Sequence, residues 1–388
     1  MVPTNEHPIA ALPALDPAAL LRALRPPSQA FPFADPRTQY FHLGRSAVWH
    51  AIRLLHLRDE EILVPAYHHG VEIEALLDAG AKLRFYGVDQ SFRADLANIA
   101  QQLTPQTKAL YVIHYAGFPQ PMDDLLAIAR SRGLKVIEDC ALSLFSADDN
   151  RPLGCRGDAA IFCLYKTLPV PHGGALWMPT GFDGAPLEGA GVMATAHQVL
   201  SSLLVRMENT GSPLAHDLRI GARAIARIAR EVRPLPVDSR PVGNRRFTSG
   251  QEKLAISAIA LGIARRANAR DIVDQRRRNY YALLGRLRDV STPMVHELGA
   301  GVCPLFYPLW CDDKRAVQQH LATVGIETID FWREGSSLVP GGRFPEVDSL
   351  RAHVLELPIH QDLNACDISR LANAVRDALV RTGQAVAA

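Results

Sequence analysis

The chain has 388 residues, of which 48% are hydrophobic, and its 42 basic and 40 acidic side chains give a net charge of +2. This length excludes a single small binding module and predicts two domains with the composition of an ordinary folded protein. The balanced charge argues against nucleic-acid binding. The basic cluster Arg276, Arg277 and Arg278 does not change this, because it is best interpreted as the solvated face of a helix.

The sequence predicts neither export nor a membrane anchor. The N-terminus lacks a basic start followed by an apolar core, and the longest apolar run, residues 254–264, is too short to cross a bilayer. The six cysteines are scattered without CxxC spacing, which predicts reduced thiols and no zinc site. We therefore expect a cytoplasmic protein without a metal ion.

From about residue 40 the sequence alternates between helical and extended patterns. Apolar residues at helical spacing predict helices, and short apolar runs predict strands. The predicted helices are 44–57, 69–79 and 122–132, and the predicted strands are 61–65, 82–88, 108–114, 134–139, 159–165 and 174–178. This alternation predicts an α/β fold with a mostly parallel sheet that is covered on both faces.

The chain changes character after residue 180. Residues 180–243 are rich in Gly, Ala and Pro and include a proline-stiffened linker, which suggests a domain boundary just beyond it. The helices predicted from here onward are 197–208, 218–231, a long helix over 248–288 and 367–381, with strands near 305–309 and 354–357. We expect a large domain over 1–245 and a smaller one over 246–388.

Asp139 is the first candidate functional residue. Open parallel sheets bind ligands at the carboxyl ends of their strands, and Asp139 ends the strand LKVIED. A carboxylate there is costly unless a cation or hydrogen-bond donors face it, and a protonated ring nitrogen would meet this demand. A cap for the following turn is an equally good interpretation of Asp139 taken alone.

Lys166 is the second candidate, and it emerges by elimination. Only six lysines occur against 36 arginines, and the other five lie at strand starts or in polar turns of predicted helices. Lys166 instead ends the apolar strand IFCLY and precedes the turn TLPVPHGG. A partly desolvated lysine in such a place can act as a Schiff-base nucleophile, and a surface lysine after a strand is the alternative.

The segment LGRSAVWHAI is the third element, because a glycine and small residues at a helix start suit a phosphate. Neither GxGxxG in a strand-turn-helix context nor GxxxxGK[ST] is present, so neither NAD nor ATP is favoured.

Together with LPIHQDL near the C-terminus, these elements resemble the DegT/DnrJ/EryC1/StrS family of pyridoxal-phosphate enzymes. The resemblance covers roughly 40–180 and 243–380 and includes LKVIEDCALSLFS, GDAAIFCLYKTLPVPHGGAL and NRRFTSGQEKLAISAIALG. It implies a fold-type I transferase with the aspartate aminotransferase fold, in which a large, mostly parallel seven-stranded sheet domain precedes a smaller α+β domain.

The resemblance also implies the roles of individual residues. Lys166 forms the Schiff base with pyridoxal 5′-phosphate and transfers protons, and Asp139 pairs with the pyridinium nitrogen. The residues implied to hold the phosphate are Gly44, Arg45, Ser46 and Cys163, the last of which stands where the family commonly has serine.

Two further contacts with the ring are implied, each with alternatives. His69 matches the position that stacks on the ring face, with Tyr67 and His68 as alternatives. Leu142 stands where the family has a glutamine or histidine that touches the ring hydroxyl. Three replacements for that contact are open, namely Ser143, His114 or a water molecule.

Asn244 and Arg245 match a segment that reaches the partner's cofactor, which implies a homodimer with shared active sites. The implied reaction is transfer of an amino group from an amino acid, with glutamate as the expected donor, to the keto group of a nucleotide-linked sugar or related cyclic polyol.

The retained lysine at 166 favours this reaction over the dehydratase branch of the family, where a histidine replaces it. One alternative is a pyridoxal-phosphate enzyme that acts on a non-sugar ketone or performs lyase or elimination chemistry. The other is a nucleotide-binding α/β protein without this cofactor.

Overall fold

A seven-stranded sheet forms the centre of the first half of the chain in the computed structural model, which describes residues 7–15, 26–182, 187–189 and 247–383. Its strands are β1 (Thr38–Phe41), β2 (Glu61–Pro65), β3 (Lys82–Tyr86), β4 (Thr107–Ile113), β5 (Lys135–Asp139), β8 (Ala159–Cys163) and β9 (Gly174–Trp177). Between β5 and β8, the short strands β6 (Ala147–Asp148) and β7 (Arg151–Pro152) form a separate hairpin.

The strands lie in the order β1-β9-β8-β5-β4-β2-β3. The five strands from β8 to β3 are parallel, whereas β9 pairs antiparallel with both β8 and β1. The predicted mostly parallel α/β sheet is therefore confirmed. Because the carboxyl ends of parallel strands share one edge, the residues after β2, β4, β5 and β8 lie along the same edge.

Helices connect the parallel strands. They are α1 (Gly44–Leu54), α2 (Val71–Asp78), α3 (Leu96–Gln102) and α4 (Met122–Arg132). The single turn α5 (Leu164–Thr167) follows β8 and leads to the antiparallel β9. In α1 the buried apolar residues Ala47, Val48, Ala51 and Ile52 follow helical spacing, so this face packs on the sheet. Helix α4 ends at Gly133, whose left-handed φ of 64° suits a residue without a side chain.

The C-terminal half is an α+β unit, as the sequence predicts. Its strands β10 (Phe306–Trp310) and β11 (Val354–Pro358) pair antiparallel. The helices are α6 (Ala258–Ala264), α7 (Ala269–Leu287), α8 (Lys314–Thr323), α9 (Pro345–His353) and α10 (Ala365–Arg381). Helix α10 packs on both α7 and α8, and Asn364 begins it with a capping box that includes Asp367.

Two predictions of secondary structure are wrong. The long helix over 248–288 is replaced by α6 and α7, because the Asn268 side chain accepts a hydrogen bond from the Asp271 N–H and begins a new helix. The strand predicted over 159–165 ends at Cys163 and continues as the turn α5.

The predicted helices at 197–208 and 218–231 and the predicted domain boundary near residue 245 lie outside the described residues. Within the described part of the chain, no helix has the length and apolar character needed to cross a membrane.

Candidate active site

A cavity opens at the carboxyl edge of the sheet, beside the start of α1. Its wall contains six of the residues that the sequence predicts for the site, namely Gly44, Arg45, His69, Asp139, Cys163 and Lys166. Phe331 and Trp332 contribute to the wall from the C-terminal half. The fold thus gathers side chains from both halves of the chain around one space.

Asp139 is the last residue of β5 and lines the cavity while being almost fully buried. The Tyr111 hydroxyl donates a 2.6 Å hydrogen bond to its Oδ2, and the Ala141 N–H donates to Oδ1 at 2.8 Å. Burial and the nearby Glu72 raise the pKa of Asp139, although the two donors and Lys166 oppose this shift. Because a carboxylate has about four lone-pair positions, Asp139 can accept a further donor from a bound ring.

Lys166 lies on the turn α5, so the sequence-based placement at the end of an extended strand is wrong. An extended strand would place Tyr165 and Lys166 on opposite sides, whereas in the turn both residues line the cavity. Nζ of Lys166 lies 4.8 Å from the centre of the Phe331 ring, which is a favourable distance for a cation. The amine thus lies beside Phe331 on the cavity wall.

The α5 turn is attached to the C-terminal half through the carbonyl oxygen of Thr167. Arg276 and Gln361 both donate to this oxygen, at 3.3 and 3.0 Å. Arg276 also donates to the Leu305 carbonyl at 2.8 Å and to Oε1 of Gln361 at 2.9 Å. The prediction of a solvated arginine face is wrong for Arg276, which is fully buried because backbone and amide oxygens satisfy its guanidinium.

Helix α1 begins beside the cavity without a side-chain cap at Leu43. The N–H groups of a first helical turn lack partners within the helix and attract anions, and Gly44 and Arg45 line the cavity at this point. Gly174 on β9 permits the close packing, since a Cβ there would lie 2.4 Å from the Leu43 carbonyl carbon. This end of the cavity is suited to a phosphate.

Ser46 and Ser143 are not among the described residues that line the cavity. The Ser46 N–H donates to the Leu43 carbonyl at 3.2 Å, and its hydroxyl donates to the Gln251 carbonyl at 3.0 Å. The Ser143 N–H donates to the Cys140 carbonyl at 3.1 Å. The Ser46 hydroxyl is thus directed to the protein backbone.

Cys163 does line the cavity, at the end of β8. Burial raises the pKa of its thiol, although Lys166 acts in the opposite direction. A neutral thiol is a weak hydrogen-bond donor, so Cys163 offers a phosphate less than a serine would.

The structure separates the three residues considered for ring stacking. His69 lines the cavity and lies edge-on to Phe331 with ring centres 5.9 Å apart. Tyr67 packs into an aromatic cluster with Trp332 at 4.9 Å. Nδ1 of the buried His68 donates to the Pro65 carbonyl at 2.9 Å, and its Nε2 accepts from a backbone N–H at the same distance. Of the three, His69 is therefore placed to meet a ligand.

One arginine of α9 links the two halves of the chain beside the cavity. Nη2 of Arg351 donates to the carbonyls of Ala66 and His68 at 2.8 and 3.1 Å, and Nη1 donates to the Trp332 carbonyl at 2.6 Å. Its guanidinium also lies over the Tyr67 ring. The loop after β2 and the wall at Trp332 are thus held by the same side chain.

Glu138 precedes Asp139 on β5 and points to the opposite side of the strand. Its carboxylate accepts from the N–H groups of Gly154, Arg156 and Gly157 at 3.1, 2.8 and 2.6 Å. His114, the other candidate for the ring-hydroxyl contact, donates to Glu138 at 3.1 Å and so lies in this structural network. Burial opposes ionisation of Glu138, but His114 and the backbone donors lower its pKa.

Sequence reasoning did not select Tyr111, Glu72 or Phe331, all of which contact the site residues or line the cavity. A tyrosine in the centre of the buried strand KALYVIH was the available signal for Tyr111. Glu72 resembles an ordinary acid in the first turn of a helix. The predicted site residue Asn244 lies outside the described residues.

The sequence also matches known proteins. The model of the DegT/DnrJ/EryC1/StrS aminotransferase family matches residues 43–180. The segment includes Gly44, Asp139 and Lys166. The matched segment is about a third of the chain. The resemblance predicted from the sequence is therefore confirmed.

Two relatives illustrate the range of the DegT/DnrJ/EryC1/StrS family. A UDP-N-acetyl-3-dehydro-alpha-D-glucosamine 3-aminotransferase of Acidithiobacillus ferrooxidans is 32% identical over 171 residues, which are 44% of this chain and 42% of the relative. The chain therefore spans less than half of that relative. The erythromycin biosynthesis sensory transduction protein EryC1 of Saccharopolyspora erythraea is 26% identical over 79% of this chain and 75% of its own length.

Solved structures show the same fold over nearly the whole chain. The aminotransferase TlmJ of Streptoalloteichus hindustanus superimposes with a TM-score of 0.65 at 20% identity, covering 95% of this chain and 93% of TlmJ. This likeness confirms the predicted fold-type I architecture.

Proposed function

We propose that this protein is a pyridoxal-phosphate-dependent aminotransferase. It moves an amino group from an amino acid, with glutamate as the expected donor, to the keto group of a nucleotide-linked sugar or related cyclic polyol. The observation that carries the proposal is the convergence of Lys166, Asp139 and the uncapped start of α1 on one cavity. The relative from Acidithiobacillus ferrooxidans, named for a UDP-linked keto sugar, supports the substrate class.

The cavity fits pyridoxal phosphate at both ends. The buried Asp139 carboxylate keeps lone pairs available toward the cavity, which suits a protonated ring nitrogen. At the other end, the first turn of α1 and Arg45 supply N–H groups and positive charge for a phosphate. Lys166 supplies the amine that an aldehyde requires.

When bound, pyridoxal phosphate supplies an aldehyde that takes up amino groups and a ring that accepts electrons from the reacting carbon. Asp139 would accept a hydrogen bond from the ring N–H and hold the proton there. Nζ of Lys166 would move a proton between the reacting substrate carbon and C4′, the aldehyde carbon of the cofactor. His69, Phe331 and Trp332 orient the ring and exclude water with apolar and aromatic surface.

The proposal includes a homodimer in which Asn244 reaches the site of the partner subunit, with Arg245 beside it. It also keeps the division into domains over 1–245 and 246–388 and a cytoplasmic location. Gel filtration with light scattering tests the dimer, and limited proteolysis tests the boundary.

The visible spectrum of the purified protein tests the cofactor. Incubation with pyridoxal phosphate should produce an absorption band, and borohydride should attach the cofactor irreversibly to the peptide that contains Lys166. Glutamate alone should then convert the bound cofactor to its amine form. Labelling of a different lysine would refute the site, and failure of every amino donor would favour lyase or elimination chemistry.

Replacement of the lysine gives a second test. Lys166→Ala should abolish turnover and borohydride labelling while the protein stays folded. Lys135→Ala is the matched control, because Lys135 begins β5 at the opposite edge of the sheet and pairs with Asp158. Full activity in Lys166→Ala would reject the role of this amine.

A further inference from the structure

Three buried tyrosines on neighbouring segments differ in what their hydroxyl groups contact. Tyr86 donates to the carbonyl of Tyr111 at 3.0 Å, and Tyr115 donates to the carbonyl of Tyr67 at 2.5 Å. The Tyr111 hydroxyl instead donates to the Asp139 carboxylate at 2.6 Å. Of these three phenols, Tyr111 alone is bonded to an ionisable group of the site.

The sheet register explains this contact. Strands β4 and β5 are parallel neighbours in which Ile113 lies opposite Asp139. Tyr111 precedes Ile113 by two positions and therefore shares its face of the sheet, so its long side chain reaches along that face to the carboxylate. The tyrosine is fully buried and cannot be replaced by water without a change in packing.

The choice of a phenol has a chemical consequence. A lysine or arginine in this place would neutralise Asp139 and remove its attraction for a protonated ring. A phenol donates a hydrogen bond while remaining neutral, because burial and the carboxylate raise the pKa of Tyr111 further above its usual range. The negative charge of Asp139 is thereby retained for a ligand.

Several titratable groups face Asp139 from the surrounding elements. Glu72 on α2 disfavours its ionised form, whereas Lys166 on α5 and the Tyr111 phenol on β4 favour it. Among the described residues, the other ionisable side chains near it or on the same cavity wall are Arg45, His69, Cys140, Cys163 and Tyr165. Among these groups, Tyr111 acts on Asp139 through a direct side-chain hydrogen bond.

We propose that Tyr111 is a positioning residue that keeps the Asp139 carboxylate ionised and aimed at the ring nitrogen of the bound cofactor. The inference rests on the proposed function, since it concerns the same cavity. It predicts that loss of the phenol makes the carboxylate easier to protonate. A protonated Asp139 cannot pair with a protonated ring, so cofactor affinity should then be lost at a higher pH.

The test is the affinity of the apoprotein for pyridoxal phosphate, measured by absorption or by quenching of tryptophan fluorescence from about pH 5 to pH 8. The proteins are the wild type, Tyr111→Phe and the matched control Tyr86→Phe, which removes an equally buried hydroxyl that does not touch Asp139. The acid limb of the affinity profile is the pH range in which affinity falls as the pH is lowered. In Tyr111→Phe this limb should lie about one pH unit higher, which is roughly a tenfold loss of affinity at a given pH on the limb. Tyr86→Phe should keep the wild-type limb.

The double variant separates positioning from a general structural effect. In the Asp139→Asn background, Tyr111→Phe should cause no further shift, because the group on which it acts is gone. Site-specific 3-fluorotyrosine at position 111 is a stronger donor and should move the limb to lower pH, which gives a second measurement if the phenylalanine variant does not fold.

If the wild type binds the cofactor but the wild type, Tyr111→Phe and the fluorinated protein all lose affinity at the same pH, the role of Tyr111 is overturned. The proposed function would stand in that case. Absence of cofactor binding by the wild type would overturn both this inference and the proposed function.

Discussion

The two sides of β5 at its carboxyl end carry adjacent carboxylates with opposite properties. Glu138 and Asp139 are both buried, yet the pKa of Glu138 is lowered and that of Asp139 is raised. Glu138 accepts four hydrogen bonds, three from backbone N–H groups and one from His114. Asp139 accepts two and otherwise faces a cavity. Incomplete hydrogen bonding, rather than burial, therefore distinguishes the acid available to a ligand.

The largest expected effect follows from removing the cavity-facing charge. Asp139→Asn should lower aminotransferase turnover about 100-fold or more, because a neutral amide cannot hold the ring nitrogen protonated. The free energy of unfolding of the apoprotein should change by no more than about 1 kcal/mol, since the buried charge is lost together with its cost. Steady-state kinetics and urea unfolding measure the two quantities. A stability loss of several kcal/mol with normal turnover would reverse the assignment of the two carboxylates.

The matching substitution on the other side of β5 should affect stability instead. Glu138→Gln places an amide NH₂ among backbone donors and should cost about 2–4 kcal/mol of unfolding free energy in urea. Turnover of the folded protein should remain within a few-fold of the wild type. The control is Glu74→Gln, at an exposed position of α2, which should leave both values unchanged. Unchanged stability in Glu138→Gln would show that its four bonds are dispensable.

A smaller effect, on the pH dependence of stability, is expected from a buried pair of histidines whose Nδ1 atoms lack hydrogen-bond partners among the described residues. The rings of His42 and His172 lie 4.1 Å apart, and burial lowers their pKa values to about 4 and about 3. Both are neutral in the native protein, whereas the unfolded chain binds protons below about pH 6.5, so stability should fall as the pH drops below this value.

Replacement of one ring checks this pH dependence. At pH 5, His172→Asn should recover about 2 kcal/mol of the loss that the wild type shows relative to pH 7. Urea unfolding at the two pH values measures this difference, with the exposed His56→Asn as the control. Equal pH dependence in the wild type and His172→Asn would contradict the assignment of a neutral, buried imidazole at this position.

The sequence predicts the parallel sheet and the placement of Asp139 and Lys166 around one cavity. This is possible because the periodicity of a strand and the residue at its end are both visible in a short stretch of sequence. It does not predict how the lysine turn is held. Arg276 reaches the Thr167 carbonyl across 109 positions, and carbonyl oxygens leave no signature in the residue types. The same reason explains why the interpretation as a solvated face fails for Arg276. The partly exposed Arg277 also binds backbone oxygens, the Gly299 and Val302 carbonyls, whereas Arg278 is exposed as predicted.

Arg351 has a mechanical consequence for the shape of the cavity. Its single guanidinium binds both the loop at residues 66–68 and the backbone of Trp332, so the distance between these two segments is set by the length of one planar group. Neither segment can move away from the other without breaking one of these hydrogen bonds. The cavity wall at Trp332 is thereby coupled to the position of α9, and a change in α9 would alter the cavity without touching Lys166.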